Sequence, residues 1–340
     1  MRILALVNGP RDRIYGIRLR QLLAFSGLAG RADVLYRDGG RRQSFISFTR
    51  ALLECRPTVA YVEAFAWSGV LPALFARFVQ GTRFVLSTGD DAAAFQRGEG
   101  RPVLALLAGI VERLSFRIAR PVCFHGPDHA EEVGRLRRGR AVFLPNSVDT
   151  DLFRPGDSPG LRERLGLTGK LVLGVVGSIH WNARHRIAYG WEVLEIVRRL
   201  AGLPVAGLVV GDGDGLPRLR ARAVEYGIAD RVAFPGQVPH EIVPEHVNAI
   251  DVCFSTQSND RVGFVRVTAK LPEYLACGRY VIASDVGGAR RYLPGIGTLL
   301  SYSGVHDPTF PERAAAVVRS LLADRSPLAR ARELGPALAR

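Results

Sequence analysis

The sequence predicts an α/β protein built as two Rossmann-like parallel-sheet domains facing each other across a cleft. Three observations predict it. Short apolar runs alternate with helical patterns from one end of the 340 residues to the other, as expected for β/α units wound around parallel sheets. A stretch of Pro, Gly, Ser and Asp at residues 154–160 interrupts the alternation near the middle. The length suits two domains, each large enough to bury its own core.

In the first half, strands fall near residues 2–8, 33–37, 58–63, 83–88, 121–125 and 141–144, with helices near 16–28, 44–55, 68–79, 102–119 and 127–137. The second half places strands near 171–177, 205–210, 231–235, 250–255, 280–284 and 297–301. The last 30 residues read as helical with no strand after them. These readings give a first domain over 1–153, a linker over 154–168, a second domain over 169–323 and a terminal helix over 324–340. That last helix is placed to cross back toward the first domain.

Hydrophobic residues make up 47% of the chain and mean hydropathy is +0.09, which argues for a packed protein and against disorder. The opening MRILALVNGP reads as a strand running into a turn, not as a leader. No window reaches the roughly 20 apolar residues that span a bilayer, so a cytoplasmic protein is expected. Cys55, Cys123, Cys253 and Cys277 lie far apart without a Cys-x-x-Cys pair, the pattern of buried free thiols.

Net charge is +14, of which residues 1–155 carry +9 and the remainder +5. Such a balance suits nucleic acid, an anionic membrane or phosphorylated substrates. Only two of the 46 basic residues are Lys, so charge alone selects none of these. The helix at 102–119 is expected to cover its sheet, with Arg113, Arg117 and Arg120 near its negative dipole end. A membrane-surface role would require its apolar side chains to point outward. Arg135, Arg137, Arg138 and Arg140 read as a solvated basic edge that could also meet anionic lipid.

The chemistry concentrates between Ile250 and Tyr292. A strand ends in a polar loop, a helix carrying Lys270, Leu271 and Glu273 follows, and a second strand ends in Gly287-Gly288. Ligands of open parallel sheets bind at the carboxyl ends of the strands, and Pro272 fits only a helix's first turn. Lys270 and Glu273 are thereby set on that rim. Glu273 has two readings: an i, i+3 partner of Lys270 worth roughly 0.2–0.5 kcal/mol, or an acceptor for the two hydroxyls of a cis-diol such as ribose.

Two further loops belong to the same rim. Gly177-Ser178 follows a strand and precedes a helix containing Glu192, which would aim backbone amides and a helix N-terminus at a phosphate, with Arg184 and Arg186 adding charge. Gly211-Asp212-Gly213-Asp214-Gly215 lacks the spacing of a dinucleotide fingerprint and offers too few carboxylates for a metal. It reads as a Gly-rich turn that lets a nucleotide approach the backbone. His125 and His129 sit at i, i+4 with no third ligand, so no metal is assigned to them.

PNSVDTDLFRP at 145–155, then VVGDGDG, FPGQVPHEIVPEHVNAIDVCFS and KLPEYLACGRYVIASDVGG, in this order, resemble glycosyltransferase family 4. The resemblance covers about 145–292. It implies a GT-B enzyme that retains anomeric configuration and uses a nucleotide-sugar donor, with no metal or other cofactor. Glu273 would bind the donor ribose, and Gly236, Gln237 and Val238 would flank the base. Lys270, Gly177, Ser178 and Arg184 would face the diphosphate, and Gly16 and Arg18 would meet donor and acceptor. Asp90, Asp91 and His125, at strand ends of the first domain, are candidates for acceptor contacts or for turn and cap positions. Val265 stands where the family commonly has a second Glu, with Asp260 nearby but off register. Ser178 and Gly89 replace a usual basic residue and a usual His.

The basic first domain adds the expectation that the sugar passes to a cell-envelope glycan or lipid acceptor, with peripheral contact at an anionic membrane. Rival readings are a nucleotide-sugar epimerase on the same fold and a degenerate, non-catalytic member. Nucleic-acid binding would rest on charge alone, without a basic recognition element.

Overall fold

The computed structural model describes residues 2–136, 140–293 and 295–339. Its contacts divide the chain into two units: residues 1–147 with 264–267, and residues 148–263 with 268–340. Of the basic run at 135–140, Arg137 and Arg138 lie outside the described residues.

The first unit runs β1 (Ile3–Val7), α1 (Ile14–Phe25), β2 (Ala32–Tyr36), α2 (Arg41–Cys55), β3 (Val59–Glu63), α3 (Trp67–Gln80), β4 (Arg83–Thr88), α4 (Ala92–Gly98), α5 (Pro102–Ile118), β5 (Val122–Phe124), α6 (Pro127–Leu136) and β6 (Ala141–Phe143). Its strands form one parallel sheet in the order β2-β1-β3-β4-β5-β6. Every residue of β1 is buried, as a strand covered on both faces must be. Register places Glu63 opposite Ser87, and Ser87 opposite Cys123. The ends of β3, β4 and β5 therefore present Glu63, Ser87 and His125 at one rim.

The helix expected at 102–119 is present as α5, but its orientation corrects the expectation. Ala105, Gly109, Glu112 and Ser115 face the protein. Glu112 accepts the Ala92 amide at 2.9 Å, tying α5 to the start of α4. The leucines and Ile110 point outward. Small residues on the inner side let α5 lie close against α4 and α3. Near the end of the helix Phe116 turns inward against Phe124, while the leucines and Ile110 stay outside.

In the second unit follow α7 (Pro159–Arg164), β7 (Leu171–Val176), β8 (Trp181–Asn182), β9 (Ile187–Ala188), α8 (Trp191–Arg199), β10 (Val205–Val210), α9 (Leu216–Glu225), β11 (Val232–Gly236), α10 (Val243–Asn248), β12 (Val252–Ser255) and the start of α11 (Arg261–Val265), whose last two residues belong to the first unit. After them come α12 (Lys270–Ala276), β13 (Tyr280–Ser284), α13 (Ala289–Tyr292), β14 (Gly297–Leu300), α14 (Phe310–Ala323) and α15 (Ser326–Ala339). The large sheet is parallel, ordered β11-β10-β7-β12-β13-β14, and β8-β9 form a small antiparallel hairpin. From β7 the chain winds out to β10 and β11, then returns to β12 on β7's other side. Strand order reverses between β7 and β12, the position where open sheets leave a crevice at their carboxyl ends.

Within the stretch that reads as linker, Pro159 opens α7 at a helix's first position, where its missing N–H costs nothing. The terminal helix α15 belongs to the second unit and packs on α12 and β13. Gly335 permits this approach: a Cβ there would lie 2.7 Å from the Leu275 carbonyl oxygen. All four cysteines are free, and Cys123, Cys253 and Cys277 are buried. Among the described residues no helix is long and apolar enough to cross a membrane.

Candidate functional site

At the reversal point of the second unit, the end of β7 meets the start of α12. Gly177 adopts φ +144°, and a Cβ there would lie 3.3 Å from Lys270 Nζ. A side chain at 177 would therefore displace the ammonium. Lys270, the first residue of α12, donates to the Tyr189 hydroxyl, with its Nζ 3.7 Å from that ring's centroid. One turn on, the buried Tyr274 hydroxyl accepts the Val176 amide at 2.8 Å, pinning α12 to the last residue of β7. The Glu-Tyr pair thus has a divided role: Tyr274 fixes the helix and Glu273 stands half-buried on the rim. Burial raises the Glu273 carboxyl to about 7, against a lowering by the Lys270 charge.

Behind Lys270 lies Glu192, in the first turn of α8 and fully buried. Its Oε1 accepts the Thr256 hydroxyl at 2.6 Å, while Oε2 has no hydrogen-bond partner among the described residues. Burial raises its pKa, with Thr256 and the Lys270 charge acting in the opposite direction. Tyr189 and Glu192 flank the start of α8 and Thr256 follows β12, and sequence reasoning missed all three as site residues.

The Gly177 loop corrects one expectation. No helix follows it directly: the β8-β9 hairpin intervenes and α8 starts only at Trp191. Ser178 is exposed, and Arg184 lies exposed in the hairpin's turn. The Gly-rich turn at 211–215 corrects another. A Cβ on Gly211 would lie 1.8 Å from the Gly177 carbonyl oxygen, and one on Gly213 would lie 2.4 Å from that of Ile179. What approaches these glycines is the neighbouring backbone, so a nucleotide does not explain them. Asp212 caps its own turn at the Gly213 amide (2.8 Å), and Asp214 accepts the Trp181 amide (2.8 Å). Gly236 has φ +81° and open space where a Cβ would go; Gln237 is exposed and Val238 packs partly on the core. The Leu271 side chain is in the core, which leaves only its backbone for a ligand.

In the first unit the predicted residues form two buried clusters. Arg18 donates to both Glu63 oxygens (3.1 and 3.0 Å), to Ser87 Oγ and to Asn146 Oδ1 (3.2 Å each), and to the Leu144 carbonyl (3.1 Å). This corrects its expected place facing a ligand: the guanidinium is buried and engaged by protein. Gly16 lies inside α1, not in a loop, where a Cβ would strike the Arg11 and Pro10 carbonyl oxygens at 2.4 and 2.5 Å. His125 is buried with Nε2 2.9 Å from Ser87 Oγ and 3.6 Å from Glu63. Burial first, then the Arg18 charge, holds it well below the usual imidazole range, so it is neutral at pH 7. Gly89 gives this ring room, since a Cβ would meet His125 Nδ1 at 2.5 Å.

Asp91, not Asp90, caps α4, accepting the Ala94 amide at 2.8 Å. Asp90 receives Arg266 (2.8 and 2.5 Å) and the Tyr15 hydroxyl (3.2 Å). Burial would raise its carboxyl, but Arg266 and these hydrogen bonds hold it below the usual value. Val265, in the same unit, is fully buried, with its carbonyl against Gly126. Asp260 accepts Ser258 Oγ (2.7 Å) and the Gly263 amide (3.0 Å), and so serves the turn into α11. Among the described residues no three His, Cys, Asp or Glu side chains gather as a metal site.

Residues 170–324 match the family model for glycosyl transferases group 1. A 2-deoxystreptamine N-acetyl-D-glucosaminyltransferase of Streptomyces fradiae is 31% identical over 217 residues, 60% of this chain and 47% of that protein. A D-inositol 3-phosphate glycosyltransferase of Geodermatophilus obscurus is 33% identical over 198 residues, 55% of this chain and 41% of the relative. The matched part is thus less than half the length of either curated relative. In fold, the chain is similar to Anabaena HepE in complex with UDP and glucose, with a TM-score of 0.74 and 18% identity over all of this chain and 94% of that one. The predicted GT-B class, with its two six-stranded parallel sheets, is the observed fold. The group 1 match spans Gly177, Tyr189, Glu192, Lys270 and Glu273, so these five lie on the segment that carries the family likeness.

Proposed function

We propose that the chain is a glycosyltransferase that holds a nucleoside diphosphate sugar at the carboxyl edge of the second unit's sheet and passes the sugar to a hydroxyl acceptor. The observation that carries this reading is the juxtaposition of Gly177, Lys270 and Glu273 at the β7-β12 reversal. Glu273 accepts the ribose hydroxyls in its ionised form. The Lys270 ammonium and the amides of Gly177 and Ser178 face the diphosphate, with Arg184 brought to the same charge from the hairpin turn. Amides beside the base come from Gly236 to Val238. A UDP-sugar is the first donor to try, supported by the UDP bound to the similarly folded HepE.

The reaction breaks the anomeric C–O bond to the diphosphate and forms one to the acceptor oxygen on the same face, with retention. The acceptor hydroxyl proton passes toward the departing phosphate oxygen. The protein acts by positioning the reactants and stabilising charge on the leaving group, and needs no nucleophile of its own. Acceptors in this reading are polyhydroxyl groups of cell-envelope glycans or lipids; the names of the two curated relatives support a cyclitol ring among the first compounds to try.

Product analysis tests the proposal. UDP- and GDP-sugars incubated with cyclitol and glycan acceptors should yield free nucleoside diphosphate and an axially or equatorially linked product matching the donor's anomeric configuration. A donor converted to its epimer without acceptor would replace transfer by epimerisation. No turnover with any donor, alongside intact nucleotide binding, would leave a non-catalytic member.

A further inference from the structure

Between Val103 and Ile110 the outward face of α5 is apolar, and Arg113 and Arg117 follow it on exposed positions. Val103, Leu106, Leu107 and Ile110 recur at helical spacing and are 69, 60, 53 and 51% exposed. Beside it, α3 packs between α2 and α5 and presents Phe75 and Phe78, the latter 71% exposed. Such a run on two adjacent helices exceeds the scattered apolar residues of an ordinary surface and marks an interaction site.

Charge identifies the partner. Residues 64–120 contain seven Arg, all exposed, and four acidic residues, none exposed. Asp90 is paired with Arg266, Asp91 caps α4, Glu112 is buried and Glu99 is half-buried. An apolar face edged by cations without exposed anions suits a helix lying in the interface of an anionic bilayer. A symmetric second copy would bring the same arginines against one another with no acidic counterpart.

We infer that α3 and α5 form a docking face for an anionic membrane surface, with their apolar side chains entering the headgroup boundary and the arginines meeting lipid phosphates. This face lies in the first unit and contains no residue of the proposed donor site. Its test is therefore independent of the transfer reaction.

Flotation with phosphatidylcholine vesicles, with and without phosphatidylglycerol, reads the contact directly. The chain should float only with phosphatidylglycerol present. Leu107→Glu with Ile110→Glu, both at exposed positions, should abolish flotation, and Arg113→Gln or Arg117→Gln should weaken it about fivefold each. With Trp181→Phe and Trp191→Phe, Trp67 at the start of α3 becomes the only tryptophan. Brominated lipid should then quench its fluorescence in anionic vesicles. Flotation unchanged by the double glutamate variant, or an unquenched Trp67, overturns the proposal. So does a wild-type dimer in sedimentation that the same variant dissociates, since a second copy would then cover the face.

Discussion

Glu273 concentrates the electrostatics of the candidate donor site in one side chain. Its carboxyl is raised from 4.5 to about 7, first by burial. A carboxyl raised on folding favours its protonated form, so its contribution to stability is complete below about 4.5 and is lost as pH rises through 7. That difference corresponds to roughly 3 kcal/mol by pH 8. Glu273→Gln should therefore remove a drop of about 2–3 kcal/mol in unfolding free energy between pH 5 and 8. Denaturant titrations at the two pH values measure it; equal slopes in variant and wild type would show that the carboxyl is not desolvated. Glu273 and Lys270 were legible in the sequence because Pro272 fixes them in a helix's first turn. Tyr189, Glu192 and Thr256 were not, because the meeting of the first two with Thr256 and Lys270 joins distant segments, which no local pattern encodes.

Strands were the most legible elements. Burial on both faces makes each central strand an unbroken apolar run, as in Leu171–Val176 and Val205–Val210, every residue of which is buried. Two-residue strands give no such signal, so the β8-β9 hairpin was missed, and with it the true distance from Gly177 to the next helix. The glycines at 211–215 were visible but their reason was not, because it lies in a carbonyl of another loop. This reason predicts a contrast between two alanine variants. Gly211→Ala adds a clash at 1.8 Å to a φ of +132°, and should cost more than about 3 kcal/mol. Gly236→Ala meets open space at φ +81° and should cost about 1–2 kcal/mol. Equal losses in chemical denaturation would contradict the loop-on-loop packing. For α5 the apolar periodicity was legible and its direction was not, since a helix pattern does not say which side meets the sheet.

Across the whole molecule, the two units carry different chemistry. The first unit's rim holds a buried Arg18-Glu63-His125 cluster and its outer helices hold an apolar, basic face. The second unit's rim holds a carboxyl poised near neutrality beside an ammonium. Net charge of +14 looked uninformative in the sequence because arginine is spread along the chain. Its significance emerged only in the segment 64–120 that carries α3 and α5, where all seven Arg are exposed and no acidic residue is. Titration calorimetry of UDP and GDP at pH 8, where Glu273 is ionised, tests the donor site most directly. We predict saturable one-site binding to the wild-type chain that Glu273→Ala weakens at least about tenfold, as expected for a lost charged hydrogen bond. Binding of equal strength in the Glu273→Ala variant, or no binding of either nucleotide, would contradict the assignment.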